Sequence, residues 1–353
     1  MMHNQKKVTL AVVAAQVGVS AITVSRALHN PDKVSPELLT RIQKAVTELG
    51  YVPNSAARAL ASNRSNVIGV LIPSISNQVF TDVLLGIYTS VEDSHFTVQI
   101  GNSRYSNVKE ENLLRTFLSQ RPAGLIIAGI DQSETALKLL SNANCPIVQI
   151  MDYASEPIDM LVGFSHQQSA KVATQHLIDS GYQHLAFIGA RMDARSQRRY
   201  QGFQAATEAA GLFDKKRVVT TLQPSTVQLG SQLLQQLLAI APETDAVFCN
   251  NDDLALGVLF EAQRRHLAVP NRLGICGFND FEMMAAAEPS LTSVRTFRYE
   301  MGLHAAQMII DTLSGQEPLQ KVVDLGFEVK QRMSTRRQAE QGFEDDEKSM
   351  SQS

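Results

Sequence analysis

Beyond residue 66 the chain alternates short apolar runs with stretches of helical length, and this alternation limits the fold more than any other feature. VIGVLIP, TVQIGN, GLIIAG and PIVQIM are separated by helical stretches at about 80–94, 107–120 and 132–142. After LVGF at 161–164 the pattern restarts with HLAFIGA, DAVFCNN and LGICGF, among helices near 166–180, 196–211 and 252–266. Runs that are apolar throughout belong to strands covered on both faces, the condition of a parallel sheet with crossover helices. Two doubly wound α/β units in tandem are therefore predicted, with no short solenoid-like repeat. The chain crosses back after Pro289 through SVRTF, a helix from Tyr299 to Ser314 and a last strand near Val322 to Phe327.

In open sheets of this kind ligands bind beyond the carboxyl ends of the strands. Those positions carry Ser74, Asn77 and Phe80 after the first strand and Asp152 after PIVQIM. Arg191 and Arg195 follow HLAFIGA, Asn251 and Asp252 follow DAVFC, and Asn279 and Asp280 follow LGICGF. Donors, acceptors and one aromatic face suit a polyhydroxylated molecule. Taken singly, Asn251-Asp252 and Asn279-Asp280 read equally well as helix caps or turns. The crowding of Arg191, Arg195, Arg198 and Arg199 points to an acidic sugar, while Arg191, Arg195 and Arg198 also fit a solvated helix face.

The N-terminal stretch Thr9–Leu28, TLAVVAAQVGVSAITVSRAL, has a different pattern. Thr9 is placed to cap a first helix whose Ala14 and Val17 face inward. Gly18 supplies a tight turn, and Ser20 caps a second helix with Val24 and Leu28 on its inner side. That is a helix-turn-helix, with Ala21, Ile22, Ser25 and Arg26 near the end of the second helix that meets base edges in the major groove. A third helix starts at Ser35-Pro36-Glu37 and stops at Leu49-Gly50. Residues 1–64 hold eight Lys/Arg against three acids, a balance of +5 in a chain of net −3, so the remainder carries −8. A basic head on an acidic body directs the head alone to a polyanion.

Other classes find little support. There is no G-x-x-x-x-G-K-[ST] loop, no G-x-G-x-x-G after a strand and no paired metal-ligand spacing, so neither an enzyme nor a cofactor is indicated. His166, His176, His184 and His304 are scattered, as structural or surface histidines are. Cys145, Cys249 and Cys276 are odd in number and widely spaced, which reads as reduced thiols. No apolar run approaches the ~20 residues of a membrane span, and MMHNQKK lacks a signal peptide's apolar stretch, so a cytoplasmic protein is expected.

The pattern T-L-x-x-V-A-x-x-x-G-V-S-x-x-T-V-S-R, followed by Tyr51-Val52-Pro53-Asn54 and Ala57-Arg58-Ala59-Leu60-Ala61, resembles the LacI/GalR family of bacterial transcription factors, and the match continues to about Phe327. The resemblance implies a headpiece over 1–53 and a hinge helix and linker over 54–65. It also implies a two-subdomain, periplasmic-binding-protein-like body over 66–333 that binds effector and dimerises. Its N-subdomain is expected at about 66–162 plus 295–320, its C-subdomain at about 163–290 plus 321–333, with a disordered tail over 334–353. The implied DNA-contacting set is Thr9, Ser20, Ala21, Ile22, Thr23, Ser25 and Arg26, joined by Asn54, Arg58 and the minor-groove wedge Leu60. Arg199, three residues before Gly202-Phe203, corresponds to the family's effector-binding arginine, completing a set of Ser74, Asn77, Phe80, Asp152, Arg199, Asn251, Asn279 and Asp280.

SNQVFTDVLLGI, PIVQIMD, MLVGF, IGARMDAR, VFCNNDDLALG and VDLGF resemble the gluconate-operon repressors within that family more closely. This implies a homodimer on a palindromic double-stranded operator, released by D-gluconate, a related hexonate or a phosphorylated relative. An activator or corepressor-dependent repressor responding to another sugar stays open. Ala21-Ile22 stands where those repressors carry Lys-Met, and Asn279-Asp280 where they carry His-Gly. Ala and Ile reach thymine methyls but form no hydrogen bond to a base, which leaves polar readout to Thr23, Ser25 and Arg26.

Overall fold

The computed structural model describes residues 8–29, 31–52 and 64–337, and these divide into two compact units meeting at Ser65–Asn66. In the first unit, helices α1 (Leu10–Val17), α2 (Ala21–His29) and α3 (Pro36–Leu49) close on Val13, Ala14, Val17, Val24, Ala27, Ile42 and Ala45. The axes of α1 and α2 turn by 101°, the crossing of a helix-turn-helix. Gly18 makes that turn in the left-handed region at φ 75°. Ser20 caps α2 as expected, its Oγ accepting from the Thr23 amide at 3.1 Å. Thr9 does not cap α1 with its side chain. Its backbone is extended as a cap requires, but the exposed hydroxyl makes no cap hydrogen bond, and the buried face of Val13, Ala14 and Val17 holds the helix.

The second unit holds two six-stranded sheets. The first has the order β11-β5-β4-β3-β1-β2, all parallel, from β1 (Val67–Ile72), β2 (Thr97–Asn102), β3 (Gly124–Ala128), β4 (Ile147–Ile150), β5 (Met160–Gly163) and β11 (Val322–Asp324). The second has the order β12-β10-β9-β8-β6-β7, from β6 (Leu185–Gly189), β7 (Val218–Thr220), β8 (Ala246–Cys249), β9 (Gly274–Asn279), β10 (Thr292–Thr296) and β12 (Phe327–Lys330). Only β12 runs antiparallel, against β10. Helices α4 (Val79–Val91), α5 (Asn107–Ser119), α6 (Glu134–Ser141) and α12 (Arg298–Leu313) belong to the first lobe. Helices α7 (His166–Asp179), α8 (Ala194–Ala209), α9 (Val227–Ile240), α10 (Asp252–Arg264) and α11 (Glu282–Ala286) belong to the second. Most central strands are buried along their whole length, as the runs of uniform apolarity demanded.

The lobe boundaries depart from the sequence reading in two places. Arg295 pairs with Asn279 of β9 and Glu328 of β12, so the second lobe extends to Thr296. Val322 pairs with Leu161 of β5, so residues 322–324 belong to the first lobe rather than the second. The expected single last strand is two strands, parted at Leu325-Gly326 where Gly326 takes φ 66° and redirects the chain between sheets. Nor does order end at Met333. Ser334 and Thr335 are buried, Ser334 Oγ bonding Ile275 O at 2.6 Å and the Thr292 amide at 2.8 Å, and Arg337 lies 3.9 Å over the Tyr182 ring. Residues 338–353 lie outside the described residues.

Candidate functional site

A cavity of about 430 Å³ lies where the strand ends of the two sheets face one another. From the first lobe it is lined by Ser74, Asn77 and Phe80 after β1, Tyr105 after β2 and Met151 after β4. The second lobe contributes Arg191, Arg195 and Arg199 after β6, Asn251 and Asp253 after β8, and Asn279 with Phe281 after β9. Six of the eight expected ligand residues thus come together: Ser74, Asn77, Phe80, Arg199, Asn251 and Asn279.

Asp152 and Asp280 do not line the cavity. Met151 takes the left-handed region at φ 70° and is the residue that faces the cleft, while the Asp152 carboxylate is buried against Arg198 at 2.7 Å. Asp280 also follows a left-handed residue and pairs with Arg332 at 2.7 Å. Asp252 is interior too, accepting from Ser293 Oγ at 2.6 Å and the Phe281 amide at 2.8 Å. Asn251 does both things the sequence allowed: its Oδ1 caps α10 through the Leu254 amide at 3.1 Å while the residue lines the cleft. Asn279 is no cap. Its backbone sits at φ 119°, and its buried Oδ1 has no hydrogen-bond partner among the described residues, which leaves an acceptor for a hydroxyl or amide of a bound molecule.

Arg199 is 8 % exposed and fixed from three sides. Its Nε donates to His166 Nδ1 at 3.2 Å, its Nη1 donates to Asn250 O at 2.5 Å, and its guanidinium lies 3.8 Å over the Phe278 ring. Burial draws its pKa down to about 10, because no water compensates the charge. His166 Nε2 is 2.8 Å from Met151 O, so the ring is a neutral imidazole that donates at Nε2 and accepts at Nδ1. Burial, followed by the neighbouring Arg199, holds its pKa well below the usual range.

The other arginines divide. Arg198 points away from the cavity into an ion pair with Asp131, while Arg191 and Arg195 face it. The solvated-face reading is therefore wrong for Arg195, whose side chain is only 13 % exposed. Sequence reasoning missed Tyr105, Ser225, Thr226 and Asp253. Tyr105 had a signal, since it follows a strand end as the others do; Asp253 was hidden behind the more conspicuous Asn251-Asp252 pair. Among the described residues no group of three or more His, Cys, Asp or Glu is disposed to hold a metal ion.

In the headpiece, Ile22 is 72 % exposed and Arg26 is exposed, while Ala21, Thr23 and Ser25 are half-buried along the same edge of α2. From that edge Ile22 can meet a thymine methyl and Arg26 can hydrogen-bond a base. Ser20 lies exposed at its N-terminus, and Thr9 is exposed before α1. Asn54, Arg58 and Leu60 lie outside the described residues. No single helix among the described residues is long and apolar enough to cross a membrane.

Comparison with known proteins agrees with both halves. Residues 9–54 match the model of bacterial regulatory proteins of the lacI family, and residues 174–335 match that of a periplasmic binding protein-like domain. The HTH-type transcriptional regulator GntR of Pseudomonas aeruginosa is 41% identical over 327 residues, 93% of this chain and 95% of that protein. The crystal structure of a LacI-family transcriptional regulator from Silicibacter pomeroyi is 34% identical, superposes with a TM-score of 0.88 and covers 94% of this chain and 100% of that one. The transcription regulator GntR of Chromobacterium violaceum is 39% identical, with a TM-score of 0.74 over 77% of this chain and 100% of that one.

Proposed function

Because the chain belongs to the lacI family of bacterial regulatory proteins, and is thus a DNA-binding transcriptional regulator and not an enzyme, we propose that it represses genes of gluconate or related sugar-acid use. A homodimer sets two copies of α2 on a palindromic operator, and a sugar acid bound in the cleft releases it. The site residues are those of the α2 edge, with Thr9 before α1 and the 54–65 hinge segment, for DNA, and the six cleft residues for effector. Acting on DNA, the protein works in the cytoplasm.

The single observation that carries the effector class is the cleft's make-up. Arg191, Arg195 and Arg199 face one cavity of about 430 Å³ together with Asn279, whose Oδ1 has no partner among the described residues. Arginine suits a carboxylate or vicinal hydroxyls, and an open amide oxygen suits a hydroxyl donor. Exposed Leu85 and Tyr88 on α4, 58 % and 47 % accessible, give the body an apolar face that supports dimerisation.

Release requires that effector favour one lobe arrangement by its differential affinity. The test is fluorescence anisotropy on a palindromic duplex selected by this protein from a random pool, at fixed salt, with and without D-gluconate. Loss of binding on adding gluconate is the expected result. Tighter binding reverses the coupling to corepression, and no change removes gluconate as effector.

A further inference from the structure

Four arginines fall within nine residues of the second lobe, and only some are free to meet a ligand. Arg198 is committed to Asp131 through bonds of 2.6 and 2.8 Å and to Asp152 at 2.7 Å. Arg199 is committed at Nε and Nη1 to His166 and Asn250. Arg195 pairs with Asp193 Oδ2 at a long 3.6 Å, while Asp193 Oδ1 caps α8 by accepting from the Ser196 amide at 2.9 Å. Arg191 has no ion-pair partner among the described residues. Both face the cavity.

Each of these two side chains also lies over an aromatic ring. The Arg191 guanidinium carbon lies 4.1 Å from the Tyr105 ring centroid, and that of Arg195 lies 5.7 Å from the Phe80 ring centroid. Each ring belongs to the opposite lobe. An aromatic face attracts a guanidinium electrostatically and takes up none of its N–H donors. The result is two positioned cations with open hydrogen-bonding capacity at one cavity wall, Arg191 without an ion-pair partner among the described residues and Arg195 with one long contact to Asp193.

We propose that Arg191 and Arg195 are the residues by which the cleft selects a carboxylate over an uncharged sugar, and that Asn279 Oδ1 takes a hydroxyl of the same ligand. This rests on the sugar-acid reading above and refines it, because it separates the carboxylate-binding residues from Arg199. The planar fork of arginine matches a carboxylate with two parallel hydrogen bonds, and charge-assisted bonds are roughly twice as strong as neutral ones. Since each arginine and its ring come from different lobes, a ligand carboxylate acts on the same side chains that join the lobes across the cleft.

The experiment uses the full-length protein and two probes with the same hydroxylated carbon chain, D-gluconate and its uncharged counterpart D-glucitol, titrated calorimetrically at fixed ionic strength. Wild type is expected to prefer gluconate, and R191Q and R195Q each to lower gluconate affinity on the order of 10- to 100-fold while leaving glucitol within about twofold. R195K, which keeps the charge without the fork, should fall between. Urea midpoints and operator binding show whether each variant is folded. Gluconate binding that survives both Gln variants overturns the assignment while the sugar-acid reading stands, as does an equal loss of both ligands. Failure of wild type to bind gluconate at all overturns the sugar-acid reading, and this assignment with it.

Discussion

Arg198 on α8 reaches across the cleft to Asp131 of the other lobe, its Nη2 and Nη1 donating to the two carboxylate oxygens at 2.6 and 2.8 Å. The same guanidinium carries the only ion pair of the buried Asp152, at 2.7 Å among the described residues. One arginine therefore joins an exposed carboxylate and a buried one, and the two should respond differently to mutation. Asp131→Asn removes a partner that is 44 % exposed, so it should cost no more than about 1 kcal/mol of stability while weakening lobe closure and effector affinity severalfold. Arg198→Ala leaves Asp152 only the Tyr153 amide, at 2.9 Å, and no charge partner among the described residues, and should cost on the order of 3 kcal/mol. Urea midpoints and ligand titrations on the two variants check the contrast.

Burial pushes the carboxyl groups of Asp152 and Asp252 up to about 6 against the nearby arginines and hydrogen bonds that favour ionisation. A carboxyl raised above its unfolded value of about 4 binds its proton more tightly in the folded state. Its contribution is fully present below pH ~4 and is lost as pH rises through about 6. Asp252→Asn keeps an acceptor for the Phe281 amide and a donor for Ser293 Oγ but cannot titrate. Its stability should fall less than that of wild type between pH 4 and 7, by about 2 kcal/mol, in urea melts across that range.

The sheets, the headpiece and most of the cleft were legible because uniform apolar runs, caps and strand ends are local signals. Asp152 and Asp280 were misplaced because the strand-end rule gives position along the chain and not side-chain direction. At Met151 a left-handed residue changes which neighbour faces the cleft, and no local pattern announces it. The division of the last strands between the lobes was illegible for another reason: whether residues 322–324 pair with Leu161 or with a strand of the other sheet depends on partners some 160 positions away. Ser334 and Thr335 looked like tail because polar residues signal exposure, yet here Ser334 satisfies backbone groups of β9 and β10 while the Thr335 hydroxyl pairs with the side chains of His176 and Thr292.

Helices α4 and α12 touch through their glycines. A Cβ built on Gly86 lies 2.0 Å from Tyr299 O, and one built on Gly302 lies 1.9 Å from Val83 O, so backbone approaches backbone at both points. Neither contact can yield by rotating a side chain. Gly86→Ala should force the helices apart and cost on the order of 3 kcal/mol, despite the better helix propensity of alanine. Thermal or urea unfolding of Gly86→Ala and Gly302→Ala, beside an exposed control on α4 such as Thr89→Ala, measures it.

On the headpiece, Arg26 and Ile22 share the exposed edge of α2, but only Arg26 can hydrogen-bond a base. Arg26→Ala should relax discrimination at one base pair of each half-site by about 1–3 kcal/mol. Selection from a random pool with wild type and variant reads this directly. An unchanged sequence profile, with affinity reduced uniformly, would instead assign Arg26 to a phosphate.

Arg199 separates effector response from DNA binding. Its charge is buried, and among the described residues it is held by neutral groups only: the His166 Nδ1 lone pair, the Asn250 carbonyl and the Phe278 face. Lysine carries the charge but not the geometry, since one ammonium cannot replace the separate Nε and Nη1 donors or lie flat on the ring. Arg199→Lys should therefore lose on the order of 100-fold in D-gluconate affinity while its operator affinity stays within about twofold, giving a repressor that no longer releases. A buried ammonium is no easier to desolvate than the guanidinium and makes fewer of its hydrogen bonds, so the variant should also be less stable, and a urea melt beside the titrations shows that it is folded. Anisotropy titrations with and without gluconate, at pH values on both sides of 6, distinguish the outcomes. A variant that responds like wild type would leave Arg199 a structural strut between His166 and Asn250.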